Sequence, residues 1–176
     1  PNTNNSAMWK MCEDADANLY VGEYGGAWSD TCAFIHRSHD GGLTWTTVYE
    51  GTGRHIHFVR YDPWQDALYA GMGDGVGRQQ VLRSLDAGAS WQSLSISGCL
   101  AQPTDVAFTA THRIFGSDCG DAENCIYRTS DEETFETVLL LDGLRDAYIW
   151  DMAGDTEDFI IAGTRAKLVG GSAVAL

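Results

Sequence analysis

The stretch Arg37-Ser38-His39-Asp40-Gly41-Gly42-Leu43-Thr44-Trp45 returns 46 residues on as Arg83-Ser84-Leu85-Asp86-Ala87-Gly88-Ala89-Ser90-Trp91. A worn copy follows at Arg128-Thr129-Ser130-Asp131-Glu132-Glu133-Thr134-Phe135, one residue shorter and without the glycines. A repeat of this period belongs to a propeller or solenoid, in which each unit buries its apolar face against a neighbour. Each unit reads as four short strands joined by Gly- and Asp-rich turns, and no helix is expected. In the second unit His55–Tyr61 is the innermost strand, Asp62-Pro63 starts a turn, Ala67–Gly71 is the second strand and Gln80–Ser84 the third. The units cover about 7–50, 54–96, 104–141 and 147–176, the last incomplete, within a single segment 1–176.

The repeated residues suit a turn. Asp40 and Asp86 can accept hydrogen bonds from amides of their own turn, and Ser38, Thr44, Ser84 and Ser90 can bond across it. Gly42 and Gly88 stand where a positive φ is expected. Trp45 and Trp91 are predicted to bury their rings between neighbouring sheets. In the third copy Asp131 remains but Phe135 replaces Trp, so that turn is predicted to be rebuilt.

The motif resembles the Asp-box, or bacterial neuraminidase repeat, Ser-x-Asp-x-Gly-x-Thr/Ser-Trp. His55-Ile56-His57 ahead of Asp62-Pro63 and Leu68-Tyr69-Ala70-Gly71 is likewise similar to the sialidase-like and xyloglucanase-like repeat superfamily. The resemblance implies an all-β fold: a β-propeller of four-stranded antiparallel blades, about three and a half of them in this chain. It also implies that the Asp turns lie on the blade periphery and serve the scaffold. The chain departs from a sialidase in having no Arg-Ile-Pro, and Arg37, Arg83 and Arg128 precede the turns in register as repeat residues. Propellers usually have 4 to 8 blades. Three arrangements therefore stand: part of a larger propeller, a half-propeller closing as a homodimer, or a small open propeller. Exposed apolar faces and strand edges favour association.

A formal charge of −14 and a pI near 4.4 exclude a phosphate-backbone partner, which needs clustered Lys and Arg. No apolar run approaches the roughly 18 residues of a membrane span, so no membrane partner is expected. Pro1–Ala7 is polar and unlike a signal peptide. The 5 cysteines favour an oxidising compartment, secreted or periplasmic. Cys119–Cys125 and Cys12–Cys32 are the pairings considered, with Cys99 left over. Their spacing carries no zinc signature, and neither metal nor cofactor is expected.

Ligands of propellers sit at the channel mouth, which here is the end opposite the Asp turns. The loops after second strands bring Glu23, Tyr24, Trp28, Asp74, Arg78 and Asp118 to that end. The links between units bring Arg54, His55, Asp105 and Arg145. Carboxylates, arginines and aromatics converging there suit a carbohydrate, by stacking and bidentate hydrogen bonds. His55 and His57 alternate about Ile56 and face one side of the sheet, where contact with channel water is the default and a metal or ligand the alternative. Trp28 and Trp64 fall in loops or turns, where packing on a blade is the default. The favoured function is a non-catalytic binding module for a carbohydrate or protein. The alternatives are a glycoside hydrolase using two carboxylates at the mouth and a purely structural fragment.

Overall fold

The structure, a computed structural model, describes residues 6–25, 33–74, 79–96, 100, 102–119, 123–141, 148–156 and 159–165. Among these are four antiparallel sheets. The first is β1 (Ser6–Glu13), β2 (Leu19–Gly25), β3 (Phe34–Ser38) and β4 (Thr46–Glu50). The second is β5 (His55–Asp62), β6 (Ala67–Gly73), β7 (Gln80–Ser84) and β8 (Gln92–Ser93). β9 (Pro103–Phe108), β10 (Arg113–Ser117), β11 (Cys125–Thr129) and β12 (Glu136–Leu140) make the third. β13 (Tyr148–Thr156) pairs with β14 (Phe159–Arg165) in the fourth. Strands pair in sequence order throughout. The fold is thus a partial β-propeller of four-stranded blades, as the repeat predicts.

Burial follows position in the blade. β6 is buried along its whole length because blades one and three cover its two faces, whereas β12, an outer strand, is exposed throughout. Tyr20, Ile35, Ile56, Val59 and Leu68 form the core between the first two blades. Phe58, Tyr69, Val106, Phe115 and Tyr127 form the next, and Ala107, Ile149 and Met152 the third. The inner strands gather about one axis. There Lys10 Nζ on β1 donates to the Thr104 carbonyl on β9 at 3.0 Å and to the Trp150 carbonyl on β13.

In the first three blades one glycine lies against the inner strand of the next blade. A Cβ on Gly22 in β2 would lie 2.5 Å from Ile56 Cγ2 on β5, and one on Gly116 in β10 would lie 2.3 Å from Ile149 Cγ2 on β13. A Cβ on Gly71 in β6 would meet Phe58 Cε1 of its own blade at 2.3 Å and the Pro103 carbonyl oxygen on β9 at 2.8 Å. The missing side chain is the space the neighbouring inner strand occupies.

The Asp turns close through their own side chains. Asp40 Oδ1 accepts from Ser38 Oγ and the Thr44 amide at 2.8 Å each, and Oδ2 accepts from Thr44 Oγ1 at 2.6 Å. Asp86 repeats this with Ser84 and Ser90 at the same distances. Hydrogen bonds from the Thr44 and Ser90 hydroxyls, then their amides, hold both carboxyls down to about 2. Gly42 and Gly88 do take positive φ, 90° and 81°. The third turn is rebuilt: Glu132 alone enters the left-handed region at φ 62°, and Asp131 accepts the Glu133 and Thr134 amides.

These turns also latch adjacent blades. Arg37 Nη1 donates to the Ala87 carbonyl of the next turn at 2.7 Å, and Arg83 reaches the Glu132 carboxylate of the one after. Arg128, the third in register, pairs with Glu136 of its own blade at 3.0 Å instead.

Two expectations are corrected. Trp91 packs edge-on to Tyr49 of the preceding blade and Phe135 joins the core between blades two and three, but Trp45 is 41% exposed. Trp45 holds the same station on the first blade, where the described residues supply no preceding blade. Met8 and Met11, 54% and 55% exposed, line the same open groove of about 360 Å³. The cysteine pairings also fail. Cys119 is disulfide-bonded, yet Cys12 and Cys125 are free, so neither the 119–125 nor the 12–32 bridge forms. The Asn124 side chain bridges that loop instead, accepting from the Cys119 amide at 2.6 Å and from Ser117 Oγ at 3.0 Å.

Candidate functional site

Antiparallel order puts the start of each inner strand and the end of each second strand at one end of the channel, away from the Asp turns. Tyr24, Arg54, His55, His57, Asp74 and Asp118 meet there. Tyr24 stacks on His55 with ring centroids 4.1 Å apart and on Trp9 at 4.5 Å. Asp74 follows β6 in the left-handed region, φ 48°, a conformation Asp tolerates better than most residues. Its carboxylate pairs with Arg54 through Oδ2 and accepts from Gln102 Nε2 at 3.0 Å through Oδ1. Asp118 lines the adjoining cavity, its amide donating to the Gln102 carbonyl at 3.0 Å.

Glu23 does not join them. Strand alternation turns it to the other face of β2, where it is buried against His36 Nε2 at 2.7 Å. Trp28, Arg78 and Arg145 lie outside the described residues.

Burial governs the charges at this end. It pushes His55 down to about 4, with His57 adding to the effect and Asp74 opposing it. His57 is lowered too, first by burial. Asp118 is pushed up to about 6 by burial and then by the neighbouring Asp74 charge. Both imidazoles are therefore neutral at pH 7. The space enclosed among Trp9, Lys10, Tyr24, His57, Thr104, Asp118 and Trp150 is only about 10 Å³. That is room for one water or one ion, and not for a sugar ring.

Deeper in the channel lies an ion cluster the sequence reading did not assemble. Asp105, fully buried, accepts from Arg60 Nε and Nη2 at 2.9 Å each, and pairs with Lys10 Nζ at 3.0 Å. Arg60 Nη2 also donates to Asp151 at 3.0 Å. The four side chains come from the inner strands of all four blades and plug the axis. Lys10, one of only two lysines, was the available signal, but its partners lie up to 141 residues away.

The opposite opening holds a groove of about 540 Å³, which runs between the ends of β5, β9 and β13, lined by Arg60, Tyr61, Trp64, Phe108, Asp151 and Met152 among others. Trp64 stands over it, 52% exposed. The Pro63 turn displays that ring because Asp62 anchors it, accepting the Trp64 amide at 2.9 Å and Arg113 Nε at 3.1 Å.

No family model matches the chain, and no curated protein does. Among solved structures it is similar to a chain of a nidogen/laminin complex, at 11% identity and a TM-score of 0.61, covering 78% of this chain and 49% of that one. It is similar to the GH74 xyloglucanase from Xanthomonas campestris at 17% identity and a TM-score of 0.58, covering 82% and 24%. A putative TolB from Agrobacterium tumefaciens gives 14% identity and a TM-score of 0.61, covering 96% and 61%. The chain thus spans from a quarter to three fifths of these structures. At such identities the likeness concerns the fold alone, and together with the four sheets it makes this chain part of a β-propeller.

Proposed function

We propose that this chain is a non-catalytic propeller module that binds a neutral carbohydrate in the groove beneath Trp64. The exposed indole over a groove of about 540 Å³ carries the reading. That size suits a small ligand. An indole face packs on the C–H face of a sugar, while Arg60 and Asp151 offer a donor and an acceptor to its hydroxyls. Among the described lining residues Asp151 is the only carboxylate. Glycoside hydrolysis needs two flanking the scissile bond, so binding is favoured over turnover.

The side-chain closure of the Asp40 and Asp86 turns supports kinship with Asp-box propellers. The xyloglucanase neighbour makes xyloglucan oligosaccharides the first probe. The Cys119 disulfide supports a secreted or periplasmic location. The open Trp45 face supports assembly with another blade, from a second copy or from the rest of a larger propeller.

Titration with xyloglucan oligosaccharides is expected to change tryptophan fluorescence. Trp64→Ala is expected to weaken binding about tenfold, the loss of roughly 1.4 kcal/mol of stacking. Binding that survives Trp64→Ala unchanged would remove the groove from consideration. Failure of a broad glycan panel would leave a protein as the groove's ligand.

A further inference from the structure

We propose that His55, His57 and Asp74 form a binding site for one divalent transition-metal ion, zinc being the first candidate. The three offer one ligand atom each, all within 4.8 Å of one another. His55 Nε2 lies 3.4 Å from Asp74 Oδ2, and His57 Nε2 lies 3.7 Å from Asp74 Oδ1. These gaps are too long for good hydrogen bonds. The first suits atoms sharing an ion, since bonds of about 2.0–2.2 Å place neighbouring ligands roughly 3–3.6 Å apart, and the second is slightly longer.

The tautomers are set for ligation. His57 Nδ1 faces the Pro103 carbonyl at 2.9 Å and His55 Nδ1 faces the Gly25 carbonyl at 3.4 Å. A carbonyl only accepts, so the His57 proton sits on Nδ1, and the longer His55 contact favours the same tautomer, which leaves both Nε2 atoms as ligands on the Asp74 side. This is how metal-bound histidines are commonly oriented. His55 Nε2 is buried without a hydrogen-bond partner, a cost that a bound ion would remove. Gly73 keeps the position clear, since a Cβ there would fall 2.0 Å from His57 Nε2.

The charges around the site balance an ion. Arg54 and Gln102 hold the two Asp74 oxygens and leave each a further lone pair. Arg54 and Lys10 oppose a cation, whereas Asp74 and Asp118 favour one. The cavity of about 10 Å³ beside His57 and Asp118 has room for a water as a fourth ligand. Mixed imidazole and carboxylate ligands suit zinc and its first-row neighbours better than calcium or magnesium.

The test uses the chelator-treated protein titrated with zinc, nickel and calcium salts. About one equivalent of zinc is expected to bind and to raise the unfolding midpoint by roughly 5–10 °C at a hundredfold excess over its dissociation constant. Calcium is expected to give no such rise. His57→Gln and Asp74→Asn are each expected to weaken binding at least tenfold. In contrast, His39→Gln with His112→Gln, which removes the imidazoles nearest the surface, is expected to leave it unchanged. Should the site variants fail to fold, imidazole nitrogen resonances of the wild-type protein decide the matter. Zinc is expected to shift Nε2 of two histidines, with Nδ1 little moved. The proposal is overturned if no zinc binds, if zinc shifts only the surface histidines, or if folded His57→Gln and Asp74→Asn both bind as before.

Discussion

Gly22→Ala and Gly116→Ala are each expected to cost about 3 kcal/mol and to lower the unfolding midpoint by roughly 6–12 °C. Gly163→Ala is expected to cost less than about 0.5 kcal/mol. All three glycines hold the same place in their repeats. At Gly22 and Gly116 the added methyl would lie 2.5 Å and 2.3 Å from an isoleucine of the next inner strand. Both isoleucines, Ile56 and Ile149, are fully buried, so neither can move aside without shifting its blade. At Gly163 the nearest atom among the described residues is the Asp151 carbonyl oxygen of its own blade, 3.8 Å away. Denaturant unfolding of the three variants reads this directly. Equal losses at Gly22 and Gly163 would mean that the blades do not dock through these positions.

Arg113→Ala is expected to destabilise the protein by about 3–5 kcal/mol, the effect of leaving one member of a buried ion pair alone. Arg113 begins β10 in the third blade and Asp62 ends β5 in the second, and both are essentially inaccessible to solvent. Without the guanidinium, Asp62 keeps only the Trp64 amide as a hydrogen-bond donor. An isolated buried carboxylate either stays charged at high cost or takes a proton. Arg113→Met combined with Asp62→Asn is therefore expected to lose less than the two single changes summed, because it leaves no unpaired charge. Strict additivity in that cycle would show that the pair does not join the blades. Because Asp62 also anchors the Trp64 turn, Arg113→Ala is expected to broaden or weaken any Trp64-dependent ligand signal.

The blade pattern could be read along the chain because its causes are local. A turn closed by Asp40, Ser38 and Thr44 needs only residues within six positions of one another, so its repetition marks the repeat. Strand order followed, since consecutive short strands joined by tight turns pair as meanders. Most of the channel-end cluster was readable for the same reason: Tyr24, Arg54, His55, Asp74 and Asp118 sit next to strand ends that recur in register. Glu23 failed that reading because one step along β2 reverses the face, and a residue at a strand's edge shows no sign of where its alternation lies. Trp45 failed for another reason. Its chemistry matches Trp91, and its exposure depends on a neighbouring blade rather than on its own turn.

Other features arise only when distant segments meet. Lys10 finds Asp105, Arg60 finds Asp151 and Arg113 finds Asp62 across blades, separated by 51 to 95 residues. Nothing in the local pattern singles out which charges will be desolvated together. Room is likewise a property of the assembled blades. The described space beside His57 and Asp118 holds about 10 Å³, and the groove carrying Trp64 about 540 Å³. Turn chemistry and strand order rest on short-range hydrogen bonds and backbone preferences, which travel with the residues that make them. Burial, cavity size and ion pairing depend on how sheets pack, and packing joins residues that the chain itself keeps far apart.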